Sequence, residues 1–187
     1  MSRAGLKLAA ALDAFELSVA GWVCADLGCN VGGFTDCLLQ RGAARVTAVD
    51  TGYGVLAWKL RRDARVVVME RTNALRVEPP ARVDLVVVDV GWTPQRLILS
   101  AARRWLRDGG IVLSLLKPHY EAAAVAPDQR ARWRSHVLTV EQARRQCYDT
   151  CEAIAADDWI VRAVTTSPVV GGGGNVEFFV WLEHGGL

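Results

Sequence analysis

Four short β-branched runs, each carrying an acid at or near its end, constrain this chain more than anything else in it. They are "VCADLG" with Asp26, "RVTAVD" with Asp50, "RVVVME" with Glu70 and "VDLVVVD" with Asp89. Near-continuous apolar runs of this length fit strands buried on both faces, as in a parallel sheet covered by helices. Helical periodicity fills most of the intervals, so strand and helix alternate. Acids at successive strand ends then fall on one edge of the sheet, the edge where open α/β sheets bind ligands. Three more runs follow, "GIVLSLL", "DWIVRAVTT" and "VEFFVWL". The last two are separated by "SPVVGGGGN" and not by a helix, which predicts a terminal antiparallel pair.

The stretch "SRAGLKLAAALDAFEL" reads as a helix with Leu6, Leu8, Leu12 and Phe15 inward, and further helices fit 33–41, 52–61, 93–106 and 137–154. Residues 121–136, rich in Ala, Arg and Pro, read as an exposed excursion. With 187 residues, 51% apolar and 22% charged, and no repeat or long linker, residues 1–187 are expected to form a single domain. No run nears the roughly 18 apolar residues of a membrane helix, and the N-terminus lacks a signal-peptide layout. A cytoplasmic chain without a membrane partner is expected. Five cysteines, an odd number, argue for free buried thiols, and His119, His136 and His184 form no zinc spacing, so no metal is expected. The net charge of +2 does not announce a nucleic-acid binder. Local basic clusters do occur at Arg61 and Arg62, from Arg103 to Arg107, in "DQRARWRSH" and at Arg144 and Arg145, and composition alone favours solvated helix faces for them.

The segment "ADLGCNVGGFTD" joins the first strand to a helix through a glycine-rich turn. Gly28, Gly32 and Gly33 permit close backbone approach, and the helix start offers unpaired N–H groups. The spacing is not the G-x-G-x-x-G of a dinucleotide site, and Asp26 before the turn would repel a phosphate. An acid there suits an ammonium group, and Asp50 suits ribose hydroxyls. Together they describe a nucleoside amino acid such as S-adenosylmethionine.

Lysine is rare in this chain. Only Lys7, Lys59 and Lys117 occur among 22 basic residues, so a role that needs an amine stands out. Lys117 closes "IVLSLLKP" and Asp89 closes the neighbouring strand, while Lys7 lies on the first helix and Glu177 follows "GGGGN". A lysine can lose its proton and act as a base; an arginine cannot.

"SRAGLKL", "DLGCNVGGFTDCLLQRGAARVTAVDTGYGVLAWKLR", "ERTN", "LLKPHYE" and "GNVEFFVWL" together resemble the TlyA branch of the FtsJ-like (RrmJ-like) ribose 2′-O-methyltransferases, also labelled hemolysins. The resemblance runs over nearly the whole chain. It implies a Rossmann-like methyltransferase fold: seven strands, mostly parallel, with an antiparallel last strand and helices on both faces. It implies a Lys-Asp-Lys-Glu tetrad at Lys7, Asp89, Lys117 and Glu177, with Lys117 handling the proton of an RNA 2′-hydroxyl. Asp26, Gly28, Asn30, Gly32, Gly33 and Phe34 match the turn that holds S-adenosyl-L-methionine, Asp50 matches the ribose-binding acid, and Asn73 is expected beside the adenine. The implied partner is RNA, ribosomal RNA above all. Three departures are notable. The usual N-terminal RNA-binding domain of TlyA proteins is expected to be absent. Gly91 and Trp92 replace a serine- and phenylalanine-containing pattern after the tetrad aspartate, and "DQRARWRSH" is a candidate substitute RNA contact. A small-molecule hydroxyl as acceptor, or a non-catalytic RNA-binding or hemolysin-like protein, are the alternatives.

Overall fold

A computed structural model describes residues 2–125 and 137–185. Among these the strands are β1 (Val23–Leu27), β2 (Arg45–Val49), β3 (Val66–Met69), β4 (Val83–Val88), β5 (Leu106–Leu116), β6 (Trp159–Thr166) and β7 (Phe178–His184). The helices are α1 (Arg3–Ala14), α2 (Gly33–Gln40), α3 (Trp58–Arg61), α4 (Gln95–Arg103), α5 (Pro118–Val125) and α6 (Val140–Ala155). They build a single sheet in the order β3-β2-β1-β4-β5-β7-β6. The first five strands of that order run parallel, and β7 runs antiparallel to both β5 and β6. The expected mostly parallel sheet with an antiparallel end is thus what forms.

Period-two alternation divides the interior. In β4, Leu85 and Val87 face one core with Leu8, Leu12, Phe34 and Leu38 of α1 and α2. Val86 and Val88 face the other, with Ile98 and Leu99 of α4 and Ile154 of α6. All four strand residues are fully buried, which is why "VDLVVVD" reads as continuous rather than alternating. Each such side chain contributes roughly 1.5–3 kcal/mol through burial.

Several boundaries differ from expectation. The helix expected over 52–61 is confined to Trp58–Arg61, because Gly54 takes φ +71° and the Gly52 N–H turns back to Asp50 Oδ1 at 2.8 Å. The helix expected over 93–106 begins after Pro94 and ends at Arg103, since Leu106 already pairs with Val83 in the sheet. The run after Lys117 is helical: α5 starts on Pro118, whose fixed φ and missing N–H suit a first helical position. It therefore claims 121–125 of the expected excursion. The rest of it, with all of "DQRARWRSH", lies outside the described residues. The helix expected at 137–154 begins at Val140, where Thr139 and Gln142 form a capping box.

Candidate active site

The turn after β1 is shaped by its neighbours as much as by its own glycines. The Gly28 N–H donates to Val49 O at 2.9 Å, and its φ of +90° is one that L side chains avoid. A Cβ at Gly28 would also run into the backbone carbonyl of Asp89. Asn30 is left-handed at φ +46° and its N–H donates to Asp50 Oδ2 at 2.8 Å. Asp50 thus spends one oxygen on Asn30 and the other on Gly52, tying the ends of β1 and β2 together.

Asp26 lies beneath this turn and is fully buried. Its Oδ2 accepts from the Thr35 N–H at 2.9 Å and the Thr35 hydroxyl at 2.7 Å, while Oδ1 has no partner among the described residues. Burial pushes the carboxyl up to about 7, against the pull of the Thr35 hydrogen bond and with the Asp89 charge adding to the rise. Phe34 packs on Phe179 at 5.7 Å between ring centroids, and Gly33 is pressed against Ser2 and Ala4 at the start of α1.

Above the turn, a cavity of about 410 Å³ opens at the C-terminal edge of the parallel strands, within the size range of small-molecule sites. Gly28, Asn30, Asp50 and Asn73 line it, as does Asp89. Asp26, Gly32, Gly33 and Phe34 do not line it; they stand behind or beside the turn that does. Asn73 Oδ1 accepts from the Leu75 N–H at 2.9 Å, which leaves its amide N–H groups, unpaired among the described residues, to face a ligand. The cavity also takes Thr51, Thr72, Ala74, Leu75 and Ile98, which the motifs did not mark. Ile98 comes from α4, far along the chain, and no local pattern announces it.

Asp89 is where this cavity meets the lysines. It follows β4, and its carboxylate pairs with the Lys117 ammonium at the end of β5. Lys117 Nζ also donates to Val90 O at 3.3 Å. On the other side of β5, Leu116 pairs with Phe178 in the antiparallel ladder, so Glu177 is the next residue opposite Lys117. Directly opposed side chains share a face with Cβ atoms about 5 Å apart. Glu177 receives the Lys7 ammonium from α1 at 2.5 Å, both side chains being largely shielded, at 4% and 11% exposure. The four residues taken from motifs at 7, 89, 117 and 177 therefore form two ion pairs on adjoining strand ends.

An aromatic cluster flanks them. Trp92, left-handed at φ +54°, lies 4.1 Å from the Tyr120 ring, which contacts His119 at 4.3 Å. Burial, then the nearby Lys117 charge, pushes His119 down to about 4, so it is a neutral neighbour at pH 7. Beneath the cluster, buried Glu121 accepts from the Gln95 N–H at 3.1 Å at the start of α4.

The profile of the FtsJ-like methyltransferases matches residues 1–184. The chain belongs to that family. Among its relatives, the 16S/23S rRNA (cytidine-2′-O)-methyltransferase TlyA of Mycobacterium tuberculosis is 42% identical over 98% of this chain and 68% of its own length. Hemolysin A of Brachyspira hyodysenteriae is 33% identical over 95% of the chain and 74% of its own. A solved structure from Streptococcus thermophilus that carries the name hemolysin superposes with a TM-score of 0.88 at 39% identity, covering 98% of this chain and 66% of that one. The FtsJ-like chain thus spans about two thirds of the length of these first relatives. No helix among its described residues is long and apolar enough to cross a membrane.

Proposed function

We propose that the chain is an RNA ribose 2′-O-methyltransferase that acts on ribosomal RNA and draws its methyl group from S-adenosyl-L-methionine. The observation that carries this reading is the double position of Asp89, which walls the cavity and holds the amine of Lys117 at its edge.

The residues fit the cofactor. Asp50 retains free lone pairs for ribose hydroxyls, Asn73 offers amide donors, and the Gly28–Asn30 backbone lies open to the cavity floor. Asp26, Gly32 and Phe34 act from behind by fixing that backbone, while Gly33 makes room for the start of α1. When bound, the sulfonium supplies an electrophilic methyl. Lys117, with its ammonium proton passed to solvent, would take the 2′-hydroxyl proton as the oxygen bonds to the methyl in line, with the electron pair of the broken bond left on the sulfur of a neutral thioether. Asp89 positions the amine, and Lys7 with Glu177 positions the ribose. Positioning in a shielded site supplies much of the acceleration expected for such a transfer.

The test is methylation of ribosomal RNA with labelled cofactor, followed by digestion to locate the label. Label on a 2′-oxygen is expected, lost about 100-fold or more in Lys117→Ala while calorimetry shows cofactor binding retained. Lys117→Arg, which keeps the charge, should be equally inactive if the amine moves a proton. Label on a base, or transfer only to small hydroxyl compounds, overturns the reading.

A further inference from the structure

The opposite edge of the sheet carries a concentration of positive charge. Arg82 before β4, Arg103 and Arg104 at the end of α4, and Arg107 in β5 line one open basin of about 940 Å³. Arg82 donates to the backbone carbonyls of Arg104 and Leu106. Arg104 donates to those of Leu75 and Val77, at 3.0 and 3.4 Å. Carbonyl oxygens fix a guanidinium without cancelling its charge. Arg107 pairs with Asp84, and Asp108 also borders the basin. Four guanidiniums face two carboxylates, a local excess equal to the +2 of the entire chain.

We infer that this basin is a second contact for RNA, binding backbone phosphates away from the methyl-transfer site. Planar, rigidly held guanidiniums match phosphate oxygens in pairs. The inference rests on the RNA reading above and deepens it. The six residues of β4 separate the two edges by about 20 Å, so an acceptor that touches both is a folded polynucleotide and not a small molecule. That separation also exceeds the screening length of about 8 Å at physiological salt. The basin therefore acts on affinity and leaves the chemistry at Lys117 unaltered.

The experiment compares Arg103→Ala/Arg107→Ala with Arg144→Ala/Arg145→Ala, which removes equal charge from α6. Neither variant touches the two arginines that hold backbone, and thermal unfolding confirms that each is folded. Binding is read by fluorescence anisotropy on a long structured ribosomal RNA fragment, on a five-nucleotide RNA and on inorganic phosphate as competitor. The basin variant should weaken binding of the long fragment about tenfold, and lower the slope of log affinity against log salt by about 2. Binding of the five-nucleotide RNA should stay within twofold, and Arg103→Lys/Arg107→Lys should restore the salt slope but only part of the affinity, since an ammonium keeps the charge without the paired donors. Equal weakening by both alanine variants, or none, overturns the basin as an RNA contact. Phosphate binding that is lost in the basin variant, with binding of the long fragment unchanged, would instead make the basin a small-anion site, and also overturns it. Because binding is measured apart from methyl transfer, absence of a 2′-O-methyl product would count against the function and not against the basin.

Discussion

Glu121 lies just beyond Lys117 and titrates against folding. Burial pushes its carboxyl up to about 7, with the Gln95 N–H pulling the other way, and Asp26 is raised likewise. Such a group holds its proton in the folded chain over a range where the unfolded chain has released it. Its favourable contribution is complete below about pH 4 and is lost as pH rises through about 7. Glu121→Gln keeps the oxygen that accepts from Gln95 and removes the titration. Urea unfolding at pH 5 and pH 8 should show the native chain losing more stability over that interval than the variant, by up to about 3 kcal/mol; parallel losses would contradict it. Gly28→Ala puts a side chain where φ is +90° and where the Asp89 carbonyl already sits. A cost of about 1–2 kcal/mol is expected for the backbone alone. Thermal unfolding should show that loss, and calorimetry should show weakened cofactor binding because both neighbours of the cavity move. At this scale the sequence was informative: motifs named Gly28, Asn30, Asp50, Asn73 and Asp89 of the cavity lining, and the four residues that form the two ion pairs. It could not say that Asp26 is turned down into Thr35, since an acid before a glycine turn reads the same whichever way its side chain points.

Element by element, α1 matters most to the proposed chemistry. It brings Lys7 to Glu177 and is held by the Ser2 cap, whose oxygen accepts from the Gly5 N–H at 3.2 Å, and by direct contact with Gly33. A Cβ on Gly33 would lie 2.7 Å from Ala4 Cβ and 3.2 Å from the Gly5 nitrogen. Gly33→Ala should therefore displace α1 rather than the cavity. Methyl transfer should fall by about tenfold or more through misplacement of Lys7, with cofactor affinity within about threefold of the native value; calorimetry and single-turnover rates measure the two separately. A parallel loss of both would mean that α1 also supports the cavity. The strands were legible as β-branched runs, most plainly β1, β2 and β4, which are almost wholly buried, whereas β3 and β6 are only partly so. Helix ends were less so. Gly52 and Gly54 sit inside an otherwise helical pattern at 52–61, and it is the Asp50 carboxylate, a contact made by folding, that turns the first half into a loop. Residues 121–125 of α5 read as part of an exposed excursion rich in Ala, Arg and Pro, yet Glu121 and Ala123 are buried.

The molecule as a whole has two working edges joined by one sheet, and only one of them was visible in the sequence. The ligand edge is announced by acids at strand ends. The arginine basin is assembled from Arg82 and a cluster about 20 residues later, and the linear pattern there looks no different from a solvated helix end. What brings them together is the β4–β5 register, in which Val83 pairs with Leu106. One contact has a temporal side. The Lys7–Glu177 ion pair closes a span of 170 residues, and the strand that begins just after Glu177 inserts between β5 and β6. During synthesis, the cavity between β1, β2 and β4 has all its walls long before that strand emerges from the ribosome. Until Glu177 has been made, Lys7 lacks the counter-charge that holds it.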